Sequence, residues 1–129
     1  MTISITPLYA GLIALLFIFL SYRVIIVRRG DRISLGDGKR PDMAYRIHAQ
    51  ANCAEYAPLG LILLAMAELQ GAPDWVVHLL GLMLLVGRLM HGWSFSRQPH
   101  NLMARTYGML LTLAMITFSA IANIGHALF

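Results

Sequence analysis

The stretch HAQANCAEYAPLGLILLAMAEL, residues 48–69, begins as a polar helix and ends as an apolar one. Its second half is almost uninterrupted Leu, Ile, Met and Ala, as expected of a helix in lipid. Its first half carries His48, Asn52 and Glu55, which are four and three residues apart and therefore share one face of an α-helix. Ionisable groups at membrane depth usually face a bundle interior or a wet cavity. The stretch therefore predicts a membrane helix with one polar, inward-facing end.

The sequence around this stretch predicts an all-α membrane protein, a bundle of four transmembrane helices. Of 129 residues, 58% are hydrophobic and 12% charged, whereas soluble domains have about a quarter charged. Four apolar runs reach the ~20 residues needed to cross a bilayer. They predict a single domain, residues 1–129, with helices at about 6–28, 42–70, 74–96 and 101–127. The first run has no positive charge before it, so we expect a retained helix rather than a cleaved signal peptide.

Positive charge is concentrated in alternate loops. The basic residues of the first loop and of the third loop's flanks are Arg28, Arg29, Arg32, Lys39, Arg40, Arg97 and Arg105, whereas the second connection and both termini have none. This positive-inside pattern predicts a cytosolic location for loops one and three and a non-cytosolic location for both termini. The net charge of +4 is therefore explained by topology rather than by nucleic-acid binding. An anionic ligand or lipid headgroup could still use it.

A second polar stripe, Arg88, His91 and Phe95, lies on the third predicted helix. The short connection at residues 71–73 predicts an antiparallel hairpin, in which heights can be compared by counting outward from the turn. The count places Glu55 level with Arg88, Asn52 with His91 and His48 with Phe95. The same count across the third turn, around Gln98 and Pro99, places Arg105 at the height of His91. We therefore expect polar side chains of three helices to converge on a pocket open to the cytosolic side.

The chemistry of this pocket leaves two interpretations open. Glu55 and Arg88 are either a purely structural ion pair or part of a binding site, and Asn52 is either an interhelical hydrogen bond or a ligand contact. No nucleophile with its base, phosphate-binding glycine loop or metal-ligand spacing is present, and Cys53 points away from the stripe, as a packing residue would. The pocket suits a small zwitterion: arginines for carboxylates, Glu55 for an ammonium and Asn52 for an amide. A thiol beside Arg105 would be favoured as the thiolate.

Three segments carry a resemblance to a known family. HAQANCAEYAPL, residues 48–59, resembles the second-helix motif of the MAPEG family, the membrane-associated proteins of eicosanoid and glutathione metabolism. VIIVRRGDRIS, residues 24–34, looks like the end of that family's first helix, and LVGRLMHGWSF, residues 85–95, resembles its third-helix motif. The likeness extends over nearly the whole chain and includes helix count, loop lengths and orientation.

The resemblance implies a homotrimer that binds glutathione between neighbouring subunits near the cytosolic face. Members conjugate glutathione to lipophilic electrophiles, reduce lipid hydroperoxides or isomerise a prostaglandin endoperoxide. By position, the resemblance assigns Arg105 to thiolate stabilisation. It assigns glutathione binding to Arg28, His48, Gln50, Asn52, Glu55, Tyr56, Arg88 and His91.

These observations lead to two hypotheses of different class. The first is a bacterial inner-membrane transferase or peroxidase that uses glutathione on a lipophilic small molecule reaching it from the membrane lipid. The second is a non-catalytic MAPEG-like interaction subunit or binding module, since His48 stands where most members have an arginine and Phe95 where the eicosanoid enzymes have a tyrosine. A transporter is less favoured, because four short helices without broken segments offer little machinery for alternating access.

Overall fold

A computed structural model describes residues 2–96 and 99–129 of the chain. Within them the chain forms four α-helices: α1 (Thr6–Asp31), α2 (Pro41–Leu69), α3 (Asp74–Ser94) and α4 (Leu102–Leu128). Each end lies within three residues of the range predicted from the sequence. The predicted third turn includes Gln98, and the third-loop charge includes Arg97; both residues lie outside the described part of the chain.

Three of these helices, α1, α3 and α4, are long and apolar enough to cross a membrane. Helix α2 is not among them, and its first half is the more polar one, with His48, Asn52 and Glu55 among its residues. The sequence predicted four crossings, and composition supports three of them. The crossing by α2 stays a prediction.

Helices α2 and α3 form the middle of the bundle. Helix α1 packs against α2 and α3, and α4 packs against the same two helices, whereas α1 and α4 do not touch within the described residues. The centre lies where α2, α3 and α4 meet, around the fully buried side chains of Leu64, Leu84 and Met115. Gly60 provides the room for them, because a Cβ there would lie 3.0 Å from both methyl carbons of Leu84.

The backbones of α3 and α4 touch at a pair of glycines. A Cβ on Gly108 would lie 2.7 Å from both the carbonyl oxygen of Gly87 and the amide nitrogen of His91. A Cβ on Gly87 would lie 2.8 Å from the carbonyl oxygen of Gly108. Small residues allow such close approach between membrane helices. The contact brings Arg88 and His91 of α3 against the first turns of α4.

The loop between α1 and α2 is closed by hydrogen bonds and ion pairs. Helix α1 ends at Asp31 and is capped by Arg32, whose φ of 54° is left-handed, and the amide of Ile33 donates to the carbonyl of Arg28 at 3.0 Å. Arg40 pairs with Asp42 at 2.8 Å and with Asp31, so it joins the end of α1 to the start of α2.

At the opposite end of the bundle, Glu68 of α2 caps the start of α1. Its carboxylate accepts from the backbone amides of Ser4 and Ile5 at 2.7 Å and of Thr6 at 2.8 Å. These amides have no partners inside the helix, and a carboxylate also suits the positive end of the helix dipole. Glu68 therefore ties the N-terminus of α1 to the α2–α3 hairpin.

Candidate functional site

A polar cavity of about 110 Å³ lies among α2, α3 and α4 at the end of the bundle where α4 begins. Its walls come from all three helices and from the residue that follows α3. The lining residues are His48, Ala51, Asn52, Glu55, His91, Phe95 and Arg105. Side chains of both polar stripes and Arg105 therefore meet within one chain. The binding role of these residues stays a prediction.

Phe95 is the centre of a cluster of rings in this cavity. It is 5% exposed, and the guanidinium carbon of Arg105 lies over its ring at 5.4 Å, within the range of a cation–π contact. Four rings surround it, with centroid distances of 5.8 Å to Tyr45, 6.4 Å to His48, 5.3 Å to His91 and 5.3 Å to His100. The Phe95 ring thus packs against Arg105 and the imidazoles of His48 and His91 and fixes their relative positions. A phenyl ring has no conventional hydrogen-bonding group to offer a ligand.

Arg88 lies behind the cavity wall and is 1% exposed. Its Nη1 donates to Oδ1 and, at 3.4 Å, to the backbone oxygen of Asn52. Its Nε donates to the hydroxyl of Thr112 at 3.0 Å, and its Nη2 contacts the sulfur of Met109 at 3.2 Å. The aromatic ring of Tyr56 lies 5.8 Å from the guanidinium carbon. Arg88 therefore joins α3 to both α2 and α4, and it positions the amide of Asn52.

The predicted ion pair between Glu55 and Arg88 is wrong. Within residues 2–96 and 99–129, the ion pairs are those that Arg40 makes with Asp31 and Asp42, and Glu55 is exposed. Counting along the helices compares the heights of Cα atoms, but an arginine head group lies several ångströms from its own Cα. Three residues of helix are only ~4.5 Å, so Arg88 reaches the amide one turn earlier. Its buried charge thus has no carboxylate partner in the described part of the chain.

The other residues assigned by resemblance lie off this cavity. Arg28 donates to the carbonyls of Ile33 at 3.4 Å and Gly36 at 3.0 Å, within the loop between α1 and α2. Gln50 is half-buried on another face of α2, and Tyr56 packs against Arg88. None of the three lines the polar cavity.

Sequence reasoning missed His100, Met109 and Thr112 around this site. Thr112 was the most detectable, because it interrupts an apolar run of α4 one turn after Gly108, whose carbonyl accepts its hydroxyl at 2.9 Å. Met109 looks like an ordinary core residue in sequence. His100 follows a turn, where sequence gives no direction to the side chain.

A larger cavity of about 350 Å³ lies on the far side of α2, against α1. Its walls are apolar and include Phe17, Ala57 and Leu61, with the buried thiol of Cys53 at one side. It offers no charged or amide group to orient a ligand, so the polar cavity is the better candidate site. Cys53 faces α1, as expected of a packing residue.

Comparison with known proteins places these features in one family. Residues 6–125 match the MAPEG family. The chain is 36% identical over 123 residues to the inner membrane protein YecN of Escherichia coli strain K12, covering 95% of this chain and 92% of that protein. It is 33% identical over 114 residues to leukotriene C4 synthase of Cavia porcellus, covering 84% of this chain and 75% of that protein. With leukotriene C4 synthase of Bos taurus it shares 32% identity over 119 residues, covering 88% and 77% respectively. The helical bundle, its apolar spans and this match over nearly its whole length show that the chain is an integral membrane protein of the MAPEG family.

Proposed function

We propose that this protein is a glutathione-dependent transferase or peroxidase that acts on lipophilic electrophiles or hydroperoxides. The relatives that suggest the activity are the leukotriene C4 synthases. The relative YecN, an inner membrane protein, suggests the same location here. Loops one and three would face the cytosol, which would make the polar cavity accessible to a water-soluble thiol.

The observation that carries the proposal is the unbalanced positive charge at the polar cavity. Arg88 is buried without a carboxylate partner, and Arg105 on the cavity wall makes no ion pair within the described residues. The two guanidinium groups, one buried and one exposed on the cavity wall, favour an anionic ligand, because a bound anion would attract both and would offset the cost of holding the Arg88 charge away from water. The exposed Glu55 beside them gives the site a partner for an ammonium group. A zwitterionic peptide with carboxylates and one amine fits this pattern.

The size of the cavity supports a site completed by a second subunit. Ligand pockets are typically ~300 Å³ or larger, whereas this one holds about 110 Å³. One subunit would therefore hold only part of a tripeptide. In a homotrimer, Arg28, Gln50 and Tyr56, which lie off the cavity of their own subunit, would serve the site of a neighbour.

Each cavity residue has a role that its contacts allow. Arg105 would stabilise the thiolate, because a nearby guanidinium favours the charged form of a thiol. Asn52 accepts from Arg88 through its oxygen, which leaves its Nδ2–H donors for a ligand carbonyl or carboxylate. Glu55 would accept from the ligand ammonium, and His48 and His91 would donate or accept on either side of Phe95. Arg88 would position Asn52 and contribute charge from behind.

When bound, glutathione supplies the nucleophilic sulfur that joins the electrophile or reduces the hydroperoxide. The protein contributes orientation and electrostatic stabilisation rather than a nucleophile of its own. The lipophilic substrate would arrive through the bilayer, which accounts for a polar site on apolar helices.

The test is thiolate formation and turnover by the purified protein in detergent. We expect a glutathione thiolate absorbance and conjugation of a chloronitrobenzene at millimolar glutathione. Arg105→Gln should lower kcat/KM by about 100-fold, as loss of one electrostatic stabiliser does, and should remove the thiolate absorbance. Arg29→Gln, which changes an exposed arginine of α1, is the matched control and should retain both signals.

Two outcomes would contradict the proposal. A native chain that forms no thiolate and conjugates nothing would favour the non-catalytic interaction subunit or binding module instead. Equal loss in Arg105→Gln and Arg29→Gln would show that Arg105 acts only through net charge.

A further inference from the structure

A second groove, distinct from the polar cavity, runs between α1 and α3. It encloses about 290 Å³ and is apolar along most of its length. Its walls are Leu16, Phe19, Leu20, Arg23, Leu89, Gly92, Trp93 and Ser96. Gly92 keeps the groove open, because a side chain larger than a methyl group would extend into it. A Cβ at this position would lie 3.4 Å from Leu20, which is an ordinary contact distance.

The groove has a polar end and an apolar end. Arg23, Trp93 and Ser96 lie at the end where α3 terminates, which positive-inside topology puts at the cytosolic headgroup level. Leu16 lies about two helical turns deeper than Arg23, ~10 Å along the helix axis, and Leu89 lies about one turn deeper than Trp93, ~6 Å. Tryptophan at the upper end is typical of the membrane interface. The groove thus runs from headgroup depth into the hydrocarbon layer.

The polar end carries positive charge that the described residues do not neutralise. The guanidinium of Arg23 makes no hydrogen bond or ion pair within residues 2–96 and 99–129. Arg46 of α2 donates to the backbone oxygen of Arg23 at 2.8 Å, and its charge acts on Arg23. Arg46 lies one helical turn from Asp42, with which it interacts electrostatically, but Asp42 and Asp31 form their ion pairs with Arg40. Arg23 therefore has no acid as an ion-pair partner within the described residues, and an external anion would supply one.

We propose that this groove binds an anionic phospholipid of the inner leaflet, with its phosphate at Arg23 and one acyl chain along Leu16, Leu20 and Leu89. The charge at one end and the apolar wall below it match the two parts of such a lipid. Basic pockets between membrane helices on the cytosolic side recognise anionic headgroups in the same way. A zwitterionic lipid would fill the apolar wall equally well but would gain less from the two arginines.

The test measures which lipid the intact protein retains. Protein purified in detergent is mixed with equal amounts of phosphatidylglycerol and phosphatidylcholine of the same acyl chains, and retained lipid is measured by native mass spectrometry. We expect phosphatidylglycerol to be retained in excess. Arg23→Gln should lower the ratio of the two lipids about fivefold, because one basic residue near an anionic surface contributes ~1 kcal/mol.

Two further variants separate headgroup from acyl chain. Arg29→Gln removes an exposed arginine of the same helix outside the groove and should keep the native ratio. Gly92→Leu fills the apolar part of the groove and should reduce retention of both lipids. Circular dichroism and a single gel-filtration peak establish that each variant is folded.

Four results would overturn the proposal. The first is the same lipid ratio in the native chain and Arg23→Gln. The second is an equal fall in Arg29→Gln, which would indicate a general attraction to basic loops. The third is stabilisation against heat by inorganic phosphate alone, equal to that by phosphatidylglycerol, which would identify a free anion as the ligand. The fourth is unchanged retention in Gly92→Leu, which would show that the acyl chain does not lie in the groove.

Discussion

At the scale of single residues, the partner of Arg88 decides which polar groups remain available to a ligand. The buried guanidinium donates hydrogen bonds to Asn52 and Thr112. Glu55, which carries the opposite charge, is left exposed on the cavity wall. An uncharged partner satisfies the donors of Arg88 without cancelling its charge. The positive potential behind the cavity therefore persists, and so does the free carboxylate in front of it.

The stability of two variants distinguishes these roles. Asn52→Ala should lower the free energy of unfolding by about 2 kcal/mol, because it leaves a buried charged donor unsatisfied. Glu55→Gln should change it by less than about 0.5 kcal/mol, as expected at an exposed position. Thermal unfolding in the same detergent, followed by circular dichroism, measures both. A loss in Glu55→Gln as large as that in Asn52→Ala would restore the ion pair that the sequence predicted.

Sequence was informative about which residues meet, but not about how they pair. Helical spacing alone grouped His48, Asn52 and Glu55, and depth counting brought them to His91 and Arg105. The depth count failed for Arg88, because the length and rotamer of a long side chain determine which group it contacts. Helical spacing gives neither quantity. It also missed Thr112, since a hydroxyl in an apolar helix commonly bonds to its own backbone.

At the scale of elements, the contact of Gly87 with Gly108 sets the distance between α3 and α4. Arg88 and His91 follow Gly87 within four residues, and Arg105 and Thr112 flank Gly108. The polar cavity therefore depends on a contact that contains no polar side chain. Separating the two backbones would stretch the hydrogen bond between Arg88 and Thr112, which is 3.0 Å long.

Alanine substitutions in α4 test this dependence. Gly108→Ala should destabilise the protein by about 1–3 kcal/mol, the usual cost of overpacking, because its Cβ would lie 2.7 Å from two backbone atoms of α3. Gly125→Ala, with nothing within 4 Å of the added carbon, should be neutral or stabilising by up to ~1 kcal/mol through helix propensity. Thermal unfolding of the two variants provides the comparison. Equal effects would show that the glycine contact does not control the packing.

The role of Glu68 shows why some element contacts escape sequence analysis. In sequence it is a charged residue at the end of an apolar helix, as expected near a membrane surface. In the structure it accepts three amides from residues 4–6, more than sixty positions earlier in the chain. Capping of one helix by a residue of another depends on the tertiary arrangement, which sequence does not show. A local cap, such as Asn101 at the start of α4, can be recognised in the sequence.

At the scale of the whole molecule, the architecture was largely predictable because lipid restricts the choices. A spanning segment without water must satisfy its backbone internally, so long apolar runs become helices. Short connections then force neighbouring helices to be antiparallel. The sequence did not reveal that α1 would stay apart from α4, because every helix is apolar around much of its surface and hydropathy does not identify neighbours.

The proposed orientation can be checked by thiol labelling in spheroplasts with a membrane-impermeant maleimide. Asp74→Cys, at the exposed start of α3, should react in intact spheroplasts. Ser34→Cys, in the exposed loop between α1 and α2, should react only after permeabilisation. The native Cys53 is buried and gives a low background. The reverse pattern would place the polar cavity on the non-cytosolic side.

The separation of α1 from α4 has a consequence for how the chain could be divided. Every residue that lines the polar cavity comes from one continuous segment, positions 48–105, and α1 only borders it through α2 and α3. A cut among residues 34–38 would yield two polypeptides, a single apolar helix and a three-helix remainder that retains every residue lining the polar cavity. Co-expression of these pieces would make the protein a fragment-complementation system, in which the smaller piece could be exchanged while the cavity lining stays the same and only the proposed contribution of Arg28 changes.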